Sequence, residues 1–271
     1  MSPVTEGKLR LGGMALRNGL LVHGPTHWAA AVRDKDGGIR VASGRKPRVK
    51  GVDGVPGVRG VVRLGEAFAV IPLVKKAMPA AKLPFESPAV IGVAAAASLG
   101  GAQVRRRMRG AGGEAAAALI SLAPAVFALR GGELAQYHGV EHKAIAAYEA
   151  DTPDAADASK EHERCGSHLV TPLLASNLAG ALLVRRVLER PGPVAGAGVA
   201  VASTAVAVEV FAWSERHAGS GLSRALRRPG FEIQRLIGTR EPDERQLEVG
   251  RAALQEIVRV ETTDQKMGSR P

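Results

Sequence analysis

Four stretches without a formal charge constrain this chain more than anything else in it. Residues 88–104, 115–129, 169–184 and 193–208 run for 17, 15, 16 and 16 residues with no Asp, Glu, Lys or Arg. At about 1.5 Å per helical residue they would be about 23 to 26 Å long, at or just under the lower bound for crossing a bilayer core. Each is rich in Ala and Gly, so each is only mildly hydrophobic, and its small residues suit close helix packing. Basic groups stand at their ends: Arg105-Arg106-Arg107, Arg130 and Arg185-Arg186. The repetition of this pattern favours membrane helices. Four buried helices of a soluble bundle remain the alternative. The mean hydropathy of +0.00 averages these runs with a basic remainder that leaves a net charge of +11.

The expected fold is mainly α, a polytopic integral membrane helical bundle with a small β-rich N-terminal module. That module spans 1–64. Membrane helices follow over 65–221, with a central His/Glu/Cys loop at 130–167, then an amphipathic tail over 222–260 and a disordered end over 261–271. Within the module, Trp28–Arg33 and Ile39–Val41 read as strands joined by the turn Asp34-Lys35-Asp36-Gly37-Gly38, and Val58–Arg63 reads as another strand. Glu66 to Lys76 reads as a short amphipathic helix. In the tail Thr239 is the expected cap of a helix carrying Leu247, Ala253, Leu254 and Ile257. The first residues lack the three-part pattern of a secretory signal peptide.

Charge and composition limit the partners. A pI near 10.4 suits nucleic acid or an anionic lipid surface. Aromatics make up 3% of the chain, too few for base-stacking platforms, so nucleic acid is unlikely. Basic termini against anionic lipid are expected, and a membrane-protein partner is possible. The basic run Arg45–Lys50 is either a solvated loop or a contact for headgroups, and His23 and His27 form a loop pair more simply solvated than ligating. One cysteine excludes an intramolecular disulfide framework and fits a reducing compartment. Both termini and the central loop are therefore expected in the cytoplasm of a multi-pass cell-membrane protein. Four spans would then put the short arginine loops 105–109 and 185–190 outside, against the positive-inside rule.

Between the second and third runs lies a polar stretch, Tyr137 to Cys165, that holds three histidines and the only cysteine. His138 and His142 are i and i+4, so on a helix both imidazoles leave one face a turn apart. With Glu141 between them the pattern is H-x-x-E-H, in which the Glu serves as general base to water on a metal. His162 and Cys165 are the better candidates for the remaining ligands. A thiolate with imidazoles favours zinc or a similar divalent ion. Glu149 lies about 10.5 Å further along an unbroken helix than His142, and Glu209 closes the fourth uncharged run. Either could support the ligands from a second shell. A solvated polar face is the bland reading of the same residues.

These pieces resemble the bacterial membrane family catalogued as domain of unknown function 1385, the YqhQ-like proteins. The resemblance runs from about Gly12 to Leu254. It rests on Gly24-Pro25 with Trp28–Arg33, on Tyr137-His138-Gly139-Val140-Glu141-His142-Lys143 with Tyr148-Glu149, and on Arg164-Cys165-Gly166. Arg59–Val62, Glu209, Pro229-Gly230, Gln234 and Thr239-Arg240-Glu241-Pro242 complete it. The family usually has Met-Met-Arg where this chain has Leu21-Val22-His23, and Pro and Thr where it has Glu163 and Ser167; the ligand-type residues are kept. The resemblance implies a metal-dependent membrane protein and names no substrate. Two functions follow: a membrane hydrolase with Glu141 as base, or a non-enzymatic assembly or scaffold protein with a structural metal.

Overall fold

The structure is a computed structural model and describes residues 8–268 except 53, 109, 131, 153–154 and 189–191. It is mainly helical, with one four-stranded antiparallel sheet in the order β1 (Gly12–Leu16), β2 (Gly19–His23), β3 (His27–Arg33), β4 (Ile39–Arg45). The hairpin at 34–38 closes through Asp34 N–H to Gly38 O at 2.8 Å, with Gly37 at φ 83°, a conformation that favours glycine. β1 and β2 escape a sequence reading because the sheet is covered on both faces, which removes the alternation of apolar and polar residues.

Leu20, Val22, Ala29 and Ala31 face one way, against α5 (Glu133–Ala150) and α9 (Glu244–Gly268). Leu16, Leu21, Trp28, Ala30 and Val32 face the other, against Val70 and Val74 of α1 (Val58–Ala77) and against Met78, Ala81 and Leu83. Successive residues thus serve opposite cores, as the pleat requires. Glu261 of α9 fixes the β2–β3 turn, its carboxylate accepting the Thr26 and His27 N–H groups and the Thr26 hydroxyl, each at 2.8 Å.

The expected strand at Val58–Arg63 is the first turn and a half of α1. Its β-branched residues suggest a strand, but Glu66, Val70 and Val74 continue inward at helical spacing. The expected helix over 66–76 is the rest of α1. Thr239 is not the cap of the last helix: Asp243 and Gln246 form a reciprocal capping box there, at 2.8 and 3.0 Å, and Thr239 instead donates to Gln234 O. That helix also continues to Gly268, through residues expected to be disordered; 269–271 lie outside the described residues.

The uncharged runs form α2 (Pro88–Arg107), α3 (Ala111–Ile120) with α4 (Ala123–Arg130), α6 (Val170–Val187) and α7 (Pro193–Arg216). By length and composition three segments could cross a membrane, Ala111–Arg130, Gly166–Val187 and Pro193–Arg216. The first run, α2, is not among them. Large apolar side chains on these helices point outward, Leu119 at 64% exposure and Val194 at 84% among them. Such a surface needs cover that the described residues do not supply. α8 (Gly221–Ile233) runs into a π-helical turn, Gln234–Gly238, before α9.

Candidate metal centre

The central polar stretch is α5 for most of its length, and α5 carries the H-x-x-E-H pattern inward: Tyr137, Val140, Glu141, His142 and Lys143 are all buried. Gly139 is needed there. A Cβ on it would lie 2.3 Å from Arg240 O, so the glycine lets the 239–242 segment cross α5 closely. Lys143 reaches across to the Ala156 and Ala158 carbonyls at 2.9 and 2.7 Å and to Glu241 at 3.0 Å, which pins the loop after α5.

That loop and the π turn fix both imidazoles. His142 Nδ1 lies 2.6 Å from Lys160 O and His138 Nδ1 lies 2.8 Å from Gly238 O. A carbonyl can only accept, so each Nδ1 carries the hydrogen and each Nε2 is left with its lone pair. His138 Nε2 points at Cys165 Sγ, 3.4 Å away. His142 Nε2 is buried and, among the described residues, has no hydrogen-bond partner. Donor atoms of His138, His142 and Cys165 all lie within 4.8 Å of one another. Tetrahedral zinc needs ligand separations of about 3.3 to 3.7 Å, which the His138–Cys165 edge already has. Two locked imidazoles, one orphaned lone pair and a thiol fit a borderline divalent ion.

Burial dominates the electrostatics. It holds His142 down to about 2, with the nearby His138 and His162 adding to the effect, so the ring is a neutral ligand at any working pH. It pushes the Cys165 thiol up to about 11, opposed by the Ser167 N–H that points at the sulfur at 3.5 Å. An ion entering here must displace that proton. Burial also raises Glu141 above the usual carboxylate range, against the Gly13 and Ala15 N–H groups that its carboxylate accepts. Those amides lie on the open edge of β1. Glu141 is therefore a fixed group, tight enough that a Cβ on Gly13 would meet its carboxylate at 2.8 Å.

The remaining expected residues fall outside the trio. His162 lines the same cavity, with its ring centre 5.7 Å from that of His142. Its Nδ1 accepts Arg164 N–H at 3.2 Å and its Nε2 faces Glu149 at 3.4 Å, so neither nitrogen offers a free lone pair in this arrangement. Glu149 also pairs with Arg164, and so holds the His162–Cys165 turn from outside. Glu209 binds Arg59 at 2.7 Å and Gly57 N–H at 2.9 Å, joining α7 to the start of α1; it does not line this cavity. Gln234 matters more than its sequence suggests. Fully buried, it accepts His162 N–H at 2.8 Å and donates to Ser167 Oγ at 2.9 Å, tying the π turn to the cysteine turn. Only its place in the family pattern pointed to it; the carbonyls that lock the histidines carry no side-chain signal at all.

The trio opens into a cavity of about 410 Å³ with apolar walls that include Leu11, Met14, Leu129 and Ile145. Residues 132–260 match the family described as "Protein of unknown function (DUF1385)". The chain is similar to "Uncharacterized protein YqhQ" of Bacillus subtilis (strain 168), 28% identical over 141 residues. That alignment covers 48% of this chain and 42% of the relative, so the chain spans less than half the length of the relative it matches. No solved structure matches.

Proposed function

We propose that this chain, whose residues 132–260 match the DUF1385 family, is a membrane metalloprotein that holds one divalent transition ion, zinc by its donor set, on His138, His142 and Cys165 and uses it for hydrolysis. One observation carries the reading: the buried, unpartnered Nε2 of His142 faces a locked imidazole and a thiol. A bound ion would supply Lewis acidity and make water a nucleophile near neutral pH. With three protein ligands the ion would keep a position for water or substrate. Glu141, buried beside the trio, is the group to take a proton from the attacking water and return it to the leaving group.

The second reading, a structural metal in a scaffold protein, is favoured by His162 in the same cavity. Turning its ring away from Glu149 would supply a fourth ligand and close the shell. Metal analysis with X-ray absorption on the detergent-purified protein separates the two. The hydrolase reading expects one ion per chain, retained in His162→Ala and lost in Cys165→Ala. Loss in both variants supports the scaffold, and a wild-type protein without metal after chelator-free purification refutes the site.

Our reading of the membrane placement rests on a parity argument. The sheet, α5 and α9 share one core and so lie on one side of a bilayer. Each intervening stretch, 46–132 and 151–243, must then cross an even number of times. The second contains two candidate spans. The first contains one, Ala111–Arg130, so α2, whose 20 residues pack along α3 and α4, returns as its partner. Cys165 stands one residue before the candidate span Gly166–Val187, so in this reading the metal centre lies at the membrane interface on the side of the sheet. A ligand thiol assigns that side to the reducing cytoplasm.

A further inference from the structure

α6 and α7 form an antiparallel hairpin whose register runs from end to end. A Cβ on Gly180 would lie 2.9 Å from Val199, the Ser176 hydroxyl donates to Ser203 O at 3.2 Å, and the rings of His168 and Phe211 stack with centres 6.3 Å apart. α8 closes the end of that hairpin nearest the metal centre. The Ser223 hydroxyl donates to Ser214 O in the last turn of α7 at 2.7 Å, and Gly230 crosses His168 so closely that a Cβ there would lie 2.6 Å from its ring. His168 Nδ1 in turn donates to Arg227 O at 2.9 Å. From Ser223 to Gly230 a helix rises about 10.5 Å, close to the roughly 8–10 Å between the axes of packed helices. α8 therefore lies across the ends of two candidate spans, in the plane that a bilayer surface would occupy.

The faces of α8 differ. Ser223, Gly230 and, in the π turn, Gln234 are buried against the protein. Leu222, Ala225 and Pro229 form an exposed apolar stripe, flanked by half-buried Leu226 and Ile233. Leu222 is 61% exposed, and Leu236 in the π turn is 67% exposed. Arg224 and Arg228 form a third face, on which Phe231 is the one apolar side chain, and Arg235 follows. Positive charge remains there after the ion pairs are counted. Arg235 is matched by Glu232 at 2.8 Å and Arg227 by Glu163 at 3.5 Å. Arg224 gives a hydrogen bond to the neutral Gly219 carbonyl at 2.7 Å, and Arg228 makes no ion pair among the described residues. An exposed apolar stripe beside unmatched arginines, on a helix laid across span ends, is the pattern of an interfacial helix on an anionic bilayer.

We propose that α8 and the π turn after it are an interfacial anchor, which seats its apolar stripe in the acyl boundary of an anionic bilayer and sets Arg224 and Arg228 on lipid phosphates. The anchor rests on the membrane placement of α6 and α7 but not on the metal reading. Because the same segment supplies the Gly238 carbonyl that locks His138, seating it holds the metal centre at the level of the headgroups.

The test uses the full chain, in a Cys165→Ser background, in nanodiscs of phosphatidylcholine with or without phosphatidylglycerol. Single cysteines carry nitroxides, and collision with oxygen, which enters the bilayer, is compared with collision with a water-soluble nickel chelate. Val201→Cys, exposed near the middle of α7, reports the bilayer core and Lys35→Cys the water. Leu222→Cys and Ala225→Cys should favour oxygen, as Val201→Cys does, and Arg228→Cys should favour the chelate. Leu236→Cys gives the same reading if Leu222→Cys does not fold. Phosphatidylglycerol should shift the Ala225→Cys label deeper, and Arg224→Gln with Arg228→Gln should abolish that shift. Val201→Cys open to the chelate would sink the membrane reading and this proposal with it. Val201→Cys immersed, with Leu222→Cys and Ala225→Cys open to the chelate, would overturn this proposal alone. So would exclusion of both reagents from those two positions, the mark of a protein partner or a second copy, or a depth indifferent to phosphatidylglycerol.

Discussion

The pH dependence of metal affinity tests the centre most sharply, because burial gives its ligands unusual proton affinities. The Cys165 thiol stands at about 11, against about 8.5 for an ordinary cysteine. Its folded-state pKa is raised, so the proton is held throughout the neutral range and every binding event releases it. Affinity should therefore rise about tenfold per pH unit, about 1.4 kcal/mol each, and should keep rising beyond pH 8.5. An ordinary thiol would level off there. From pH 7 to pH 9 the buried thiol predicts a gain of about a hundredfold, and still about tenfold between pH 9 and pH 10. His142, at about 2, adds no proton to this slope. The assay is competition with a chelator of known conditional affinity, using cobalt, whose thiolate charge-transfer absorption reports Cys165 directly. A plateau at pH 8.5 would refute the buried-thiol argument, and cobalt bound without that absorption would remove Cys165 from the site.

Other outcomes follow from the same geometry. Glu141→Gln should keep its metal, because the carboxylate binds Gly13 and Ala15 amides rather than the ion, whereas His142→Ala should lose it; equal losses by metal analysis would make Glu141 a ligand. Gly139→Ala should cost about 1–3 kcal/mol in unfolding free energy, since its Cβ meets backbone at 2.3 Å; a neutral effect would deny the close crossing. Glu261→Ala strands three donors at the β2–β3 turn and should cost at least about 3 kcal/mol by the same measurement. In a Cys165→Ser background, cysteines at Lys35 and Asp243 should label from the cytoplasmic side and cysteines at Met108 and Leu188 from the other; any split of the first pair breaks the parity argument.

What could be read from the sequence was whatever side-chain spacing encodes. The 34–38 hairpin was legible because Asp and Gly determine turns locally, and the His138–His142 pair because i, i+4 fixes a helix face. Val58–Arg63 misled because β-branching outweighed a helical repeat that becomes clear only from Glu66 onward. Thr239 misled because a hydroxyl can close a π turn as well as cap a helix. The tautomer locks from Lys160 and Gly238, and the docking of Glu141 on the β1 edge, are backbone contacts between segments far apart in sequence, which spacing cannot encode.

The arginine-rich connections remain the strongest objection to four crossings, and the fold answers part of it. If α2 pairs with Ala111–Arg130 and α6 with α7, the ends near Arg105 and Arg185 lie on the face opposite the sheet, where basic residues are disfavoured. Glu114, buried at the start of α3, meets both: Arg105 at 3.0 Å and Arg185 at 2.7 Å. One carboxylate thus joins the tips of the two hairpins and offsets part of their charge; Arg109 and Arg190 lie outside the described residues. Topology is set by arginines free to hold the cytoplasmic leaflet, so pairing of this kind weakens the bias that the bare sequence suggests. Glu114→Gln would restore it. The expected result is a mixed orientation of Met108→Cys and Leu188→Cys labels, with Lys35→Cys and Asp243→Cys still moving together because the sheet, α5 and α9 share a core. A single orientation unchanged by Glu114→Gln would show that some other force holds the tips across.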